Sequence, residues 1–146
     1  MHEAAAWELG LRITYLALCA EERERFARMV DALKTIGARG ANVTMPYKEA
    51  AHGLADRHTR EALEIGCVNT LRFEGPVVGH NTDGPGFARI LASLPPERTS
   101  RIQVIGAGGA ARAVVWAAAR SGAEVTVCAA RHTEGSQRAS AFARMD

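Results

Sequence analysis

With 146 residues the chain has room for one good core but not for two complete α/β domains, since domains commonly run about 100 to 150 residues. Its 47% hydrophobic and 23% charged residues are those expected of a soluble globular protein, and no apolar run approaches the roughly 18 residues of a membrane span. A formal charge of +2, from 18 basic and 16 acidic residues scattered along the chain, leaves no electrostatic footprint for nucleic acid.

In chain order, residues 3–9 carry a short helical pattern stopped by Gly10, and residues 11–18 read as a β-rich apolar run. Residues 21–36 set Phe26, Met29, Val30, Leu33 and Ile36 at helical spacing behind an acidic first turn, and Gly37 and Gly40 end that helix. Residues 41–45 predict a short strand. Proline is tolerated in a first helical turn, so a helix can begin at Pro46 with Lys48 inside that turn. Two short helices follow at residues 49–54 and 59–65, with Gly66 as the stop of the second. Residues 67–73 and 77–81 read as a hairpin turned at Glu74-Gly75-Pro76.

Gly84-Pro85 opens a further helix over residues 86–94, and residues 95–100 form the clearest linker. The domain boundary is set there, with residues 1–94 before it and 101–146 after it. Beyond the linker, a buried-type strand at 102–105, a tight turn at 106–109, a helix at 110–120 and a strand at 124–128 give βαβ order.

The turn reads Gly106-Ala107-Gly108-Gly109-Ala110-Ala111 and fits G-x-G-x-x-A between a strand and a helix. In that motif the first glycine permits the tight turn, the second lets the backbone approach a pyrophosphate, and the third small residue lets helix pack on strand. The helix N-terminus adds amide donors and partial positive charge. Without a ligand the same residues make an ordinary glycine-rich strand-to-helix turn. The acidic residue that usually holds the NAD ribose is absent from the end of the second strand, where Cys128-Ala-Ala-Arg131-His132-Thr133 stands. Arg131 suits a ribose 2′-phosphate and so NADP, or is simply an exposed loop arginine.

Three polar clusters lie at strand ends: Asn42 to Lys48, Cys67 to Thr70, and Gly79 to Gly84. Ligands of α/β sheets bind outside the carboxyl ends of strands, so the clusters are expected to converge. A lysine beside a carboxylate makes an acid/base pair for proton transfer at a carbinol carbon. Singly, Lys48 also reads as a surface lysine, Asn69 as a cap or bulge residue, and Asp83 as a helix N-cap.

His2, His52, His58 and His80 read as surface or capping residues, since none falls into metal spacing. Trp116 and its neighbouring alanines read as a core helix face, and Tyr47 as a residue that shapes the pocket beside Lys48. Cys19, Cys67 and Cys128 are odd in number, far apart and set in apolar stretches, which suits reduced core thiols. Together with an N-terminus that shows no export signal, they point to the cytoplasm.

Asn42-Val-Thr-Met-Pro-Tyr-Lys48, Gly66-Cys-Val-Asn-Thr70, Gly79-His-Asn-Thr-Asp-Gly-Pro-Gly86 and Gly106-Ala-Gly-Gly-Ala-Ala-Arg-Ala113, in that order, closely resemble the shikimate dehydrogenases. The resemblance runs from Met1 to about Thr133. It implies an NADP-dependent oxidoreductase that reduces 3-dehydroshikimate to shikimate, in chorismate and aromatic amino acid biosynthesis. Lys48 becomes the catalytic acid/base and Asp83 its partner, both touching substrate hydroxyls. Asn69 binds those hydroxyls as well, and Thr44 lies in the same pocket. Gly106, Ala107, Gly108, Gly109, Ala110 and Ala111 hold the pyrophosphate, with Arg131 toward the 2′-phosphate. The family's Asn-Arg-Thr segment at that place is here Ala-Arg-His-Thr, with the Asn missing and the Arg one position late, so NAD stays open beside NADP.

The resemblance further implies an α/β fold in which an N-terminal α/β substrate domain, lacking its first strand and its Ser-x-Ser carboxylate clamp, precedes the first βαβ unit of a Rossmann NAD(P)-binding domain. The expectation is a chain truncated at both ends, of poor stability and impaired turnover. A quinate- or aminoshikimate-type dehydrogenase is one alternative, and a non-catalytic remnant or half of a split protein is another. The expected partner is a small-molecule substrate, shikimate or 3-dehydroshikimate, with no nucleic acid or membrane, for a monomer or homodimer.

Overall fold

The computed structural model describes residues 2–129. Helix α1 (His2–Glu8) ends just before Gly10, which turns the chain at φ 68°. Residues 11–20 then run without regular structure, where the apolar alternation predicted a strand. A strand persists as an element only when a neighbouring backbone takes its hydrogen bonds. Leu11, Ile13, Leu16 and Leu18 of this segment remain 48% to 71% exposed.

Helix α2 (Arg23–Thr35) buries Phe26 and Val30. Gly37, at φ 78°, turns the chain after it, and Ile36 is left exposed at the exit instead of joining the core. Gly40 opens strand β1 (Gly40–Asn42) and does not close the helix; a Cβ there would overlap the Leu71 carbonyl oxygen. A groove of about 590 Å³ lies between the 14–20 segment, α2 and β1.

Helix α3 (Lys48–Leu54) starts two residues later than Pro46, because residues 45–47 form a turn in which Tyr47 N donates to Thr44 O at 3.0 Å. Lys48 is therefore the first residue of the helix. Strand β2 (Arg57–His58), too short for any periodicity to reveal, leads into α4 (Arg60–Ile65). Thr59 caps α4 by accepting from Ala62 N, and Gly66 ends it in the left-handed conformation at φ 68°.

The hairpin forms as β3 (Thr70–Arg72) and β4 (Val78–His80), shorter than its apolar pattern, with Gly75 at φ 76° in the turn. Cys67 and Val68 are fully buried ahead of it without being strand. The sheet order is β1-β3-β4-β2, antiparallel except where β2 runs parallel to β4.

Helix α5 (Asp83–Ala92) begins three residues earlier than expected, so Pro85 falls in its first turn. The proposed linker contains one helical turn, α6 (Pro96–Thr99), with proline at its first position. Strand β5 (Arg101–Ile105), helix α7 (Gly109–Arg120) and strand β6 (Glu124–Cys128) make the βαβ unit, its strands parallel from Arg101 beside Glu124 to Ile105 beside Cys128.

Three apolar clusters organise the described residues, the smallest of them Val104 and Val115 inside the βαβ unit. Phe26, Val30, Val43, Ala51, Val68 and Leu71 fill the space between the first sheet and its helices. Ile65, Cys67 and Leu91 meet Ala113, Trp116 and Ala117 of α7, so the βαβ unit shares a core with the preceding part. Gly84 permits this approach: a Cβ on it would stand 2.8 Å from the Trp116 ring. Cys67 is a core thiol as expected, but Cys19 and Cys128 are exposed; none of the three forms a disulfide among the described residues. Cys128 falls on the outward side of the alternation in β6, and Cys19 on the unpaired segment. No helix among the described residues is long and apolar enough to cross a membrane.

Candidate active site

Lys48, Asn69 and Asp83 come from three separate segments and meet in space. Lys48 Nζ donates to Asp83 Oδ2 at 2.6 Å, with the two side chains 18% and 35% exposed. Asn69 Nδ2 donates to Asp83 Oδ1 and to Thr82 Oγ1, both at 2.8 Å. Both carboxylate oxygens of Asp83 are therefore engaged, which fixes the carboxylate and aims the ammonium it holds. An ammonium whose carboxylate partner cannot rotate away is oriented for proton transfer to a neighbouring oxygen.

The support beneath the cluster was not legible as such. Asn81 is buried; its Nδ2 donates to Cys67 O at 3.0 Å, and its Oδ1 accepts from Asp83 N and Gly84 N at 3.1 Å. It satisfies the first amides of α5, which is why the helix starts at Asp83. Asn69 Oδ1 accepts from Thr82 N at 3.0 Å, tying the two loops together. Asn81 and Thr82 stand inside the Gly79 to Gly84 cluster, so the signal was present without a role.

Thr44 is exposed, four residues before Lys48, and its hydroxyl makes no direct hydrogen bond to Lys48, Asn69 or Asp83. Tyr47 faces the core: its ring stacks on Phe26 with centroids 4.7 Å apart and its hydroxyl donates to Ala20 O at 2.8 Å. It fixes the entry to α3 from the core side. His52 and His58 face each other with ring centroids 4.1 Å apart, and His58 Nε2 lies 2.8 Å from His52 O.

The glycine turn abuts the lysine. Gly106 takes φ 113°, a conformation that favours glycine, and open space surrounds the Cβ positions of Gly106 and Gly108. Gly108 precedes α7 with extended backbone and no side-chain cap, which leaves the amides of Gly109, Ala110 and Ala111 without intrahelical partners. That is an anion cradle of the kind a pyrophosphate fits. Gly109 is different: a Cβ on it would come within 3.2 Å of Lys48 Cδ and 3.1 Å of Cys67 Sγ. Arg131 lies outside the described residues.

A family model for the shikimate dehydrogenase substrate binding domain matches residues 1–71. The shikimate dehydrogenase (NADP(+)) of Methanopyrus kandleri is 44% identical over 142 residues, which cover 94% of this chain and 48% of that protein. The crystal structure of the Aquifex aeolicus shikimate dehydrogenase superposes with a TM-score of 0.85 at 37% identity, over 97% of this chain and 53% of that one. Over nearly its whole length the chain is similar to shikimate dehydrogenases.

A Thermus thermophilus shikimate 5-dehydrogenase determined in complex with NADP(H) and shikimate matches with a TM-score of 0.79 and 37% identity, covering 97% of this chain and 52% of that chain. Across such shikimate dehydrogenases the likeness takes in both the first sheet and the βαβ unit, so the fold is a substrate-side α/β part followed by a Rossmann-like start. The chain spans about half the length of the curated relatives it matches.

Arg112 is the residue of the family motif whose place was least foreseen. It reads as a polar interruption in an alanine-rich helix, yet it is 1% exposed. Its guanidinium bonds to Ile65 O, Gly66 O and Glu49, all outside the βαβ unit. An arginine on an otherwise apolar helix face was the available signal.

Proposed function

We propose that the chain carries the acid/base side of an NADP-dependent shikimate dehydrogenase site, reducing 3-dehydroshikimate to shikimate. The observation that carries this reading is the Lys48 Nζ to Asp83 Oδ2 bond of 2.6 Å, braced by Asn69 and set directly beside the glycine turn. Similarity to shikimate dehydrogenases and the (NADP(+)) designation of the relatives support the cofactor, and the open backbone at Gly106 and Gly108 fits its pyrophosphate. Residues 1–94 serve as the substrate-binding part and residues 101–146 as the start of the cofactor-binding part, joined through 95–100.

NADPH, when bound, supplies the hydride. Lys48 presents an ammonium proton to the substrate oxygen that becomes a hydroxyl, and in the reverse direction takes that proton back. Asp83 keeps Nζ in place, and its carboxylate stabilises the ammonium before the transfer. Asn69 donates to Asp83 Oδ1 and Thr82 Oγ1 and accepts from Thr70 Oγ1 and Thr82 N, so it meets a substrate hydroxyl by exchanging one of the two threonine hydroxyls for it. Gly108, Gly109, Ala110 and Ala111 offer backbone amides to the pyrophosphate, while the Gly106 amide donates to Cys128 O at 2.8 Å and gives the turn its shape. The reading includes a cytoplasmic monomer or homodimer with no nucleic-acid partner, supported by three cysteines outside any disulfide among the described residues and by the dispersed charge.

The test follows NADP+ reduction with shikimate and with quinate, alongside calorimetry of shikimate binding, for this chain and for Lys48→Met. Shikimate-dependent turnover that falls by about two to four orders of magnitude in Lys48→Met supports the reading. Turnover indifferent to Lys48→Met, or neither turnover nor shikimate binding at any protein concentration, overturns it; the second result marks a non-catalytic remnant.

A further inference from the structure

Lys48 sits in a three-sided seat, and one guanidinium holds two of the sides. Arg112 NH1 donates to Glu49 Oε1 at 2.8 Å, and Glu49 follows Lys48 in the first turn of α3. Arg112 Nε and NH2 donate to Ile65 O at 2.9 and 2.7 Å, and NH2 also donates to Gly66 O. Those carbonyls lead straight into Cys67 and Val68, whose backbone is bonded to the lysine's own: Val68 N donates to Lys48 O at 2.9 Å. The third side is Gly109, one turn before Arg112 on α7. The space left by its missing side chain is taken by the Lys48 stem, since an added Cβ would lie 3.2 Å from Lys48 Cδ and 3.3 Å from Lys48 Cβ.

Burying an arginine to 1% exposure is a costly way to fill a core, because the guanidinium must be stripped of water and all its donors re-partnered. An apolar side chain would have joined α7 to α4 without that cost. What an apolar side chain cannot do is fix direction: the planar fork bonds to α3 and to the end of α4 at once, from a helix whose first turn is the glycine turn.

We propose that Arg112 and Gly109 are positioning residues for Lys48, which set the lysine against Asp83 and in fixed register with the glycine turn of the βαβ unit. The proposal rests on the reading of Lys48 as the acid/base, and concerns residues that act through it. Contact between the two halves of the site is then made by protein alone, before either ligand binds.

Lys34 and Lys48 are the two lysines of the chain, so amine acylation read by peptide mass spectrometry gives an internal ratio. Lys34 lies on the surface of α2 and reports general reactivity. Arg112→Met is expected to raise the Lys48-to-Lys34 labelling ratio several-fold and to shift its pH profile, with no restoration by Arg112→Lys, which lacks the fork. Gly109→Val leaves every group that Arg112 bonds to in the chain and is expected to raise the ratio as well, so the seat is read even where Arg112→Met fails to fold. Val115→Ala, which loosens the buried side of α7 away from the lysine, is expected to leave the ratio unchanged. An unchanged ratio in folded Arg112→Met or Gly109→Val, or an equal rise in Val115→Ala, overturns the proposal. No substrate or cofactor enters the measurement, so its failure is distinct from a failure of the proposed reaction.

Discussion

The indole Nε1 of Trp116 donates to Glu64 Oε2 across 2.7 Å and joins α7 to α4. The same carboxylate accepts from Arg60 Nε at 2.7 Å and from Arg120 NH1 at 3.5 Å. The indole bond first, and the Arg60 bond next, hold the Glu64 carboxyl below its ordinary value of 4.5. With the lower value in the folded state, the unfolded chain binds more protons across the interval between the two. The stabilisation is fully present above 4.5 and is lost as pH falls through the folded value. The side chain is 28% exposed, so solvent screens part of the effect. Urea midpoints measured against pH, read by far-UV circular dichroism, are expected to fall more steeply below 4.5 for the natural chain than for Glu64→Gln. Parallel acid limbs would contradict the assignment.

Asn81 is expected to be far more costly to remove than its neighbour Thr82. Asn81→Ala strips partners from one carbonyl and two amides at the start of α5, in a place where water has little access. Leaving buried polar groups unmatched costs about 1 to 3 kcal/mol, and the upper part of that range is expected here. Denaturant titration measures it, and the Lys48 to Asp83 geometry, carried on the same helix start, should loosen with it.

Gly84→Ala tests the approach of α5 to α7. The added methyl meets the Trp116 ring at 2.8 Å and Ile65 Cδ1 at 2.7 Å. The indole is hemmed in and the isoleucine tip can give, so overpacking of about 1 to 3 kcal/mol is expected. Combining it with Ile65→Val, which removes Cδ1, should recover part of the loss in the same denaturant measurement.

The 11–20 segment presents Leu11, Ile13, Leu16 and Leu18 to solvent beside the groove next to β1. Clustered apolar surface of this kind binds hydrophobic dyes and promotes association. Leu16→Ser with Leu18→Ser is expected to lower dye fluorescence and to reduce concentration-dependent self-association in light scattering, while the far-UV circular dichroism stays unchanged.

Much of the site was readable because it depends on short-range chemistry. The glycines at 10, 37, 66, 75 and 106 all take positive φ, which a chain position requires of glycine whatever the tertiary surroundings. Lys48, Asn69 and Asp83 stood out because polar residues at three strand ends tend to face one place. The strand expected at 11–18 failed for the converse reason: alternation specifies a face, while a strand also needs a partner backbone.

The sequence by itself determined most of the helices, the β3–β4 hairpin, the βαβ unit, the residue types of the acid/base cluster and the family resemblance, since each follows from local conformational preference or from motif spacing. Only the tertiary structure decided that Arg112 reaches out of the βαβ unit to Glu49, Ile65 and Gly66, and that Gly109 makes room for the Lys48 stem. Those contacts join residues about 46 to 63 positions apart, and whether a buried arginine meets carbonyls or solvent depends on how two helices pack, which no local pattern encodes.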